Sequence, residues 1–238
     1  MKVNWFYIKM LAVIVISGFL FAFANHRNAT RKIVETRIDF EGAENIFITS
    51  DAVNKLLIQN NQPLTGQGKE ILVLKELEDR LDSHAMIADA EVYLTLDGVI
   101  GANVKQRKPL ARVQAKNPFY IDETGSAMPL SANYSARVPL IEGLGEDKLQ
   151  EVYPLLLYIK NDDFLNKQIV GIARNTKGEY SLSPRVMDYE IALGRIEDLK
   201  TKFNNYKAFY QKALKDKSLE TYSNVDLRFK GQVVGTKK

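Results

Sequence analysis

Cysteine is absent from the 238-residue chain. Disulfides, thiolate metal sites, iron–sulfur ligation and cysteine nucleophiles are therefore excluded, although the absence does not fix a compartment. Histidine is scarce: His26 and His84 are far apart in sequence, which excludes a histidine-rich metal cluster. Fourteen glycines and seven prolines are too few for a collagen-like or linker-rich chain. A charge of one sign is missing as well. The 33 basic and 29 acidic residues leave a formal +4, which falls further once Lys2 and Lys9 are set aside, so charge gives no reason to expect nucleic acid as partner. Hydrophobic residues at 45% and charged residues at 26% are ordinary for a folded protein, and the length suits one or two domains.

One long apolar run stands out. Residues 10–24 (MLAVIVISGFLFAFA) carry no charge. As a helix they rise about 22 Å, short of a hydrocarbon core of about 30 Å. Starting at Val3 brings the length to about 33 Å, provided Lys9 snorkels to the head groups. Trp5, Phe6 and Tyr7 then form an interfacial belt. The expectation is a retained transmembrane helix over 9–25 behind a short cytoplasmic tail and interface, 1–8. A cleaved signal peptide is the alternative, because Ala22-Phe23-Ala24 resembles a cleavage site before Asn25. Lys2 and Lys9 on one side and Arg27, Arg31 and Lys32 on the other leave orientation undecided by local charge. Either way the bulk of the chain is exported.

Beyond this segment, 33–40 (IVETRIDF) alternates apolar and polar residues as a strand does. Ile46-Phe47-Ile48 follows, and Thr49-Ser50-Asp51 offers cap oxygens for a short helix carrying Val53, Leu56 and Leu57. Breaks are expected at 60–63 and 66–68. Leu72, Leu74, Leu77 and Leu81 suit one face of a second helix. Two strands, 90–96 and 99–105, flank Asp97-Gly98, a hairpin signal in which both turn residues must accept positive φ. Strand, two helices and two strands make an α+β module with both helices on one face of a small sheet.

Pro109 marks a boundary near 107–111, since it biases Lys108 away from helix. The second half is richer in strands. Candidates are 119–121, 138–141, 169–173, 179–182 and 189–193, with turns at 122–125 and Gly143. A helix over 148–160 must accommodate Pro154. After Gly194, the residues Ile196, Leu199, Phe203, Tyr206, Tyr210 and Ala213 recur at three- and four-residue spacing, one apolar stripe along a helix. The chain closes with 224–229 (NVDLRF), Lys230-Gly231 and Gln232-Val233-Val234.

Motifs that carry chemistry are few. Gly66-Gln-Gly68-Lys69 lacks the phosphate-loop spacing, and Glu70 stands where Ser or Thr would hold magnesium. No serine sits in a nucleophile elbow. His84 is placed to close the second helix as a capping cation. Asp162-Asp163 and Glu146-Asp147 are read as solvated loop carboxylates. Asn28-Ala-Thr30 and Asn133-Tyr-Ser135 match glycosylation sequons, which matter only in a eukaryotic secretory compartment. The chain reads as a non-enzyme without cofactor, metal or small-molecule substrate. A peptidoglycan-processing envelope enzyme with an unrecognised site and a cleaved periplasmic binding or chaperone-like protein stay open.

Residues dispersed over nearly the whole chain resemble the bacterial cell-division family FtsQ/DivIB. Residues 34–42 (VETRIDFEG) are similar to the first strand of its POTRA domain, and Leu77, Leu81, Ile87, Ala90 and Val92 to its second helix and following strand. Gly101, Val104, Arg107, Pro109 and Ala111 resemble its boundary motif, with Gln106 where Glu is usual. Tyr120-Ile-Asp122…Gly125 and Leu140-Ile-Glu-Gly143 resemble two of its turns. The most specific matches are Ile191-Ala-Leu193-Gly194 and, about thirty residues on, Val225-Asp226-Leu227-Arg228-Phe229, with Phe229 in place of Tyr.

The resemblance implies an α+β fold with a single N-terminal transmembrane helix. A POTRA-like domain over 33–108 would follow, then a mixed β-sheet domain with helices over 109–238. It implies a bitopic scaffold of the inner membrane at the division site, N-terminus cytoplasmic, bulk periplasmic. FtsB and FtsL are the expected partners, alongside FtsW and FtsI, whose septal peptidoglycan synthesis it would help regulate. Partner binding maps onto a terminal strand made of Arg228, Phe229, Lys230, Gly231, Gln232, Val233 and Val234. An unpaired strand edge is a physical template for an added strand.

Overall fold

The computed structural model describes residues 5–29, 32–42, 47–58, 65 and 73–238. The tail residues 1–4, Thr30, Arg31, Ile46, Leu72, the breaks at 60–63 and 66–68, and the Lys69-Glu70 pair therefore lie outside the described residues. The chain divides into two compact units, Met1–Gln106 and Arg107–Lys238.

The first unit begins with α1, Trp5–Ala29. Its stretch Trp5–His26 is long and apolar enough to cross a membrane, with mean hydropathy 2.2 and no part buried. The helix starts before the 9–25 span, taking in the aromatic residues ahead of the apolar run. Lys9 Nζ sits 5.5 Å from the centre of the Trp5 ring, a cation–π contact one helical turn away. After it come β1 (Glu35–Phe40), α2 (Ser50–Leu57), α3 (Leu74–Asp82), β2 (Ile87–Leu94) and β3 (Val99–Gln106). The expected strand, two helices and two strands are present. Thr49 caps α2 by accepting the Ala52 N–H at 3.2 Å. Strand β3 is central: β1 pairs with it in parallel and β2 antiparallel. Val53, Leu57, Leu77 and Leu81 from the helices and Ile100, Ala102 and Val104 from β3 are buried. At Gly101 an added Cβ would lie 2.1 Å from the Tyr93 ring, so this glycine is what lets Tyr93 lie against β3.

Two local expectations are corrected. The β2–β3 connection is not a two-residue turn in which Asp97 and Gly98 both take positive φ. Thr95 N–H pairs with Val99 O and Gly98 N–H returns to Thr95 O, so Gly98 alone adopts positive φ, at 93°. Ahead of α2, the Phe47 and Ile48 N–H groups both donate to the buried Gln106 Oε1, at 2.6 and 3.2 Å. His84 is not a capping cation: its Nδ1 accepts the Met86 N–H, and burial pushes its pKa down.

The second unit is a nine-stranded mixed sheet ordered β12-β11-β10-β9-β8-β7-β4-β5-β6. Its strands are β4 (Pro109–Val113), β5 (Phe119–Asp122), β6 (Ala127–Pro129), β7 (Leu140–Glu142), β8 (Ile169–Arg174), β9 (Tyr180–Pro184), β10 (Glu190–Gly194), β11 (Tyr222–Asp226) and β12 (Val234–Lys237). The helices are α4 (Leu149–Lys160), which keeps Pro154 inside it, α5 (Asp163–Gln168) and α6 (Leu199–Lys215). Parallel neighbours need a long crossover. Helices α4 and α5 supply it between β7 and β8, and α6 between β10 and β11. The core is filled by Ile141, Ile172, Leu182, Ile191 and Val225 together with Val152, Leu155, Leu165, Phe203 and Tyr206. The apolar stripe of α6 accounts for its part of this: Phe203, Tyr206 and Ala213 are buried and Leu199 and Tyr210 pack against the cluster. With the apolar N-terminal helix, the small three-stranded α+β unit and the larger mixed sheet, the α+β architecture expected from sequence is present.

A candidate partner-binding edge

The C-terminal hairpin is built around one ion pair. Asp226, the last residue of β11, accepts the Arg228 backbone N–H at 2.9 Å through Oδ1. The Arg228 guanidinium closes on the same carboxylate, Nε to Oδ1 at 3.0 Å and Nη2 to Oδ2 at 2.5 Å. These hydrogen bonds hold the Asp226 carboxyl below its ordinary pKa, outweighing the opposing effect of burial. The stem of Arg228 crosses the end of β10. There Gly194, at φ 75°, leaves room: a Cβ on it would lie 2.8 Å from Arg228 Cγ. The two most specific sequence matches, ending at Gly194 and starting at Val225, are therefore one contact in space. Leu227 follows, buried, with its N–H on Ala192 O at 2.9 Å. The chain then reverses through Gly231, φ 77°, and returns as β12.

This corrects the expected terminal strand. Strand β11 stops at Asp226 rather than running to Phe229. Phe229, Lys230, Gly231, Gln232 and Val233 form the turn, Arg228 is its clamp, and of the nominated residues Val234 alone lies in a strand. The physical reason is the Asp226–Arg228 clamp, which bends the backbone where the apolar alternation alone would extend it. Three strand residues, Gly235, Thr236 and Lys237, were missed. Lys230-Gly231 between two apolar runs is a hairpin signal that would have found them.

Strand β12 ends the sheet order and pairs only with β11, antiparallel. All four of its residues are exposed. One face of it is small by necessity: a Cβ on Gly235 would lie 2.6 Å from the Tyr222 ring. Tyr222 in turn meets Phe209 of α6 edge-on, centroids 5.0 Å apart, so helix and edge share a half-buried aromatic shelf. Four large apolar side chains are exposed in this unit, Val186, Leu214, Phe229 and Val234, and two of them belong to the hairpin. Backbone groups open for pairing, beside apolar side chains, suit strand addition.

Elsewhere the titratable clusters tie elements together. Arg174 forks onto Glu151, Nε to Oε1 and Nη2 to Oε2 both at 3.2 Å, and the Tyr180 hydroxyl donates to Glu151 Oε1 at 3.0 Å. Burial and that carboxylate push Tyr180 up to about 12, so its phenol stays protonated near neutral pH. The buried Tyr189 and Tyr206 hydroxyls pair at 3.0 Å, and burial raises both. Asp162 is an N-cap rather than a solvated loop residue. It accepts the Phe164 and Leu165 N–H groups of α5 and an ion pair from Lys207 of α6. Burial pushes its carboxyl up, but Lys207 and those N–H groups outweigh it and leave the pKa low. Among the described residues no group of three or more His, Asp or Glu side chains could hold a metal ion.

Comparison with known proteins adds two matches. Residues 108–236 match the family model described as FtsQ/DivIB, C-terminal related. Residues 34–105 match the model described as POTRA-like domain. No curated protein matches the chain significantly.

Proposed function

The chain belongs to the FtsQ/DivIB C-terminal-related family, and on that premise we propose that it is a non-enzymatic, single-pass scaffold of the bacterial division machinery. Helix α1 anchors it in the inner membrane with the N-terminus cytoplasmic, and both units lie in the periplasm at the division site. The partner is the FtsB–FtsL pair, and holding that pair helps regulate septal peptidoglycan synthesis by FtsW and FtsI. The observation that carries this reading is the open edge of β12 beside the Phe209–Tyr222 shelf. A partner strand pairs along β12, main-chain hydrogen bonds supply affinity, and Phe229 and Val234 supply apolar contacts that select the partner.

The experiment is site-specific photo-crosslinking in the native host, with the probe at Thr236 on the strand and, for comparison, at Val233 in the turn. Thr236 should trap a small bitopic partner of the FtsB type, identified by mass spectrometry, more strongly than Val233 does. Trapping of division proteins from probes on the POTRA-like unit alone would remove β12 as the site. Orientation is testable cleanly because the chain has no cysteine. A single cysteine introduced at exposed Lys217 should react with a membrane-impermeant maleimide in spheroplasts.

A further inference from the structure

A cleft of about 320 Å³ opens in the C-terminal unit, away from the hairpin: none of its lining residues belongs to β11 or β12. Its floor is apolar, from Leu110 of β4, Leu156 and Ile159 of α4 and Ile169 of β8. Three cations come to it from separate elements. Arg137 lies in the segment before β7, Lys160 closes α4, and Arg185 follows β9. No aspartate or glutamate lines it, and among the described residues none of the three forms an ion pair. A lysine at the last turn of a helix is ordinary; the two arginines have no such explanation. Arg185 is also held in place. Its backbone N–H donates to Gln168 O at 2.6 Å and its Nε to Lys167 O at 3.0 Å, which leaves both Nη groups without a partner among the described residues. Three gathered like charges repel, and an anionic ligand relieves this.

We infer that this cleft is a second docking site, one that receives an acidic peptide segment in which an apolar side chain is flanked by carboxylates. Charge complementarity requires the acid, and the apolar floor requires the side chain between. A free phosphate leaves the floor unused, and a bilayer surface is too broad for so small a concavity. Arginine forks match carboxylates in two-bond geometry. This site is independent of the β12 reading.

The test uses the full-length protein in detergent micelles and a panel of fluorescein-labelled peptides carrying Asp or Glu on either side of Leu, Ile, Val or Phe. Acidic peptides should raise anisotropy and shift the Leu156 and Ile159 methyl resonances. Their Asn and Gln counterparts should bind at least about tenfold more weakly, and Arg137→Gln and Arg185→Gln should each weaken binding about tenfold, the loss of one charge-assisted contact. Both arginines are exposed, and an unchanged melting temperature verifies that the variants fold. Failure of every acidic peptide to shift those resonances overturns the inference. Pyrophosphate binding as tightly, with the same arginine dependence, overturns it in favour of a free-anion site. Arginine-dependent binding to phosphatidylglycerol vesicles without peptide binding overturns it in favour of a membrane surface. Truncation of β12 should leave the peptide affinity unchanged.

Discussion

The two sheets of this protein end in opposite ways. At one edge of the three-stranded sheet, β2 packs beside α3, and the Val92 N–H donates to the Glu78 carboxylate of that helix at 3.0 Å. At the end of the nine-stranded sheet, β12 is exposed along its length, and among the described residues no helix side chain bonds to its backbone. Unpaired strand edges invite unwanted pairing, and proteins close them with covering helices, charges or short strands. The first unit covers its edge with a helix. The second keeps its edge open but short, four residues ending at Lys237 with Lys238 next. An edge that is open yet guarded against random pairing is what a specific partner strand needs.

The contrast breaks most visibly if β12 is removed. Truncation after Val233 should abolish capture of the proposed partner while costing less than about 1 kcal/mol of stability, because the strand buries little apolar surface. A loss approaching that of the buried-core change Phe203→Ala, about 3–5 kcal/mol, would mean that β12 is structural; denaturant midpoints separate the two. Closing is tested at Glu78. Glu78→Ala leaves the Val92 N–H without its acceptor and should cost about 1 kcal/mol, with faster hydrogen exchange at Val92 and some self-association of the chain. Unchanged exchange there would end the idea of a closed edge.

The smallest effect is acid sensitivity confined to the open end. Asp226 is held below its ordinary pKa of 3.8 by Arg228. A depressed carboxylate contributes its stabilisation fully above the unfolded value and loses it as pH falls through the lower folded value. Amide exchange of Val234–Lys237 should therefore be steady from neutral pH down to about 4 and quicken, after correction for intrinsic rates, only in stronger acid. The β2 amides should show no such step on account of Asp226. Arg228→Gln should flatten the acid response.

Much of the fold was legible because its signals are local. The α6 stripe, the Thr49 cap and the alternation in β1 and β10 each follow from a period or a single side chain, and all appear where the residues place them. The POTRA-like order was readable for the same reason. What misled was local pattern against distant contact. NVDLRF alternates well enough to extend through Phe229, yet Arg228 turns back onto Asp226 and over Gly194, thirty-four residues earlier in the chain. Gln106, Asp162 and Glu78 each gain their structural role from a partner fourteen to fifty-nine residues away, which no local pattern records.

The sequence by itself determined the kinds of elements, the apolar N-terminal helix and the family, since these rest on periodicity, composition and residues in order along the chain. The tertiary structure alone decided which strand is the open edge. Strand order depends on crossovers, with α6 carrying the chain from β10 to a parallel β11 and the hairpin adding β12 outside it. Crossovers pair residues far apart in sequence, so no local pattern records which backbone groups are left unpaired at the end.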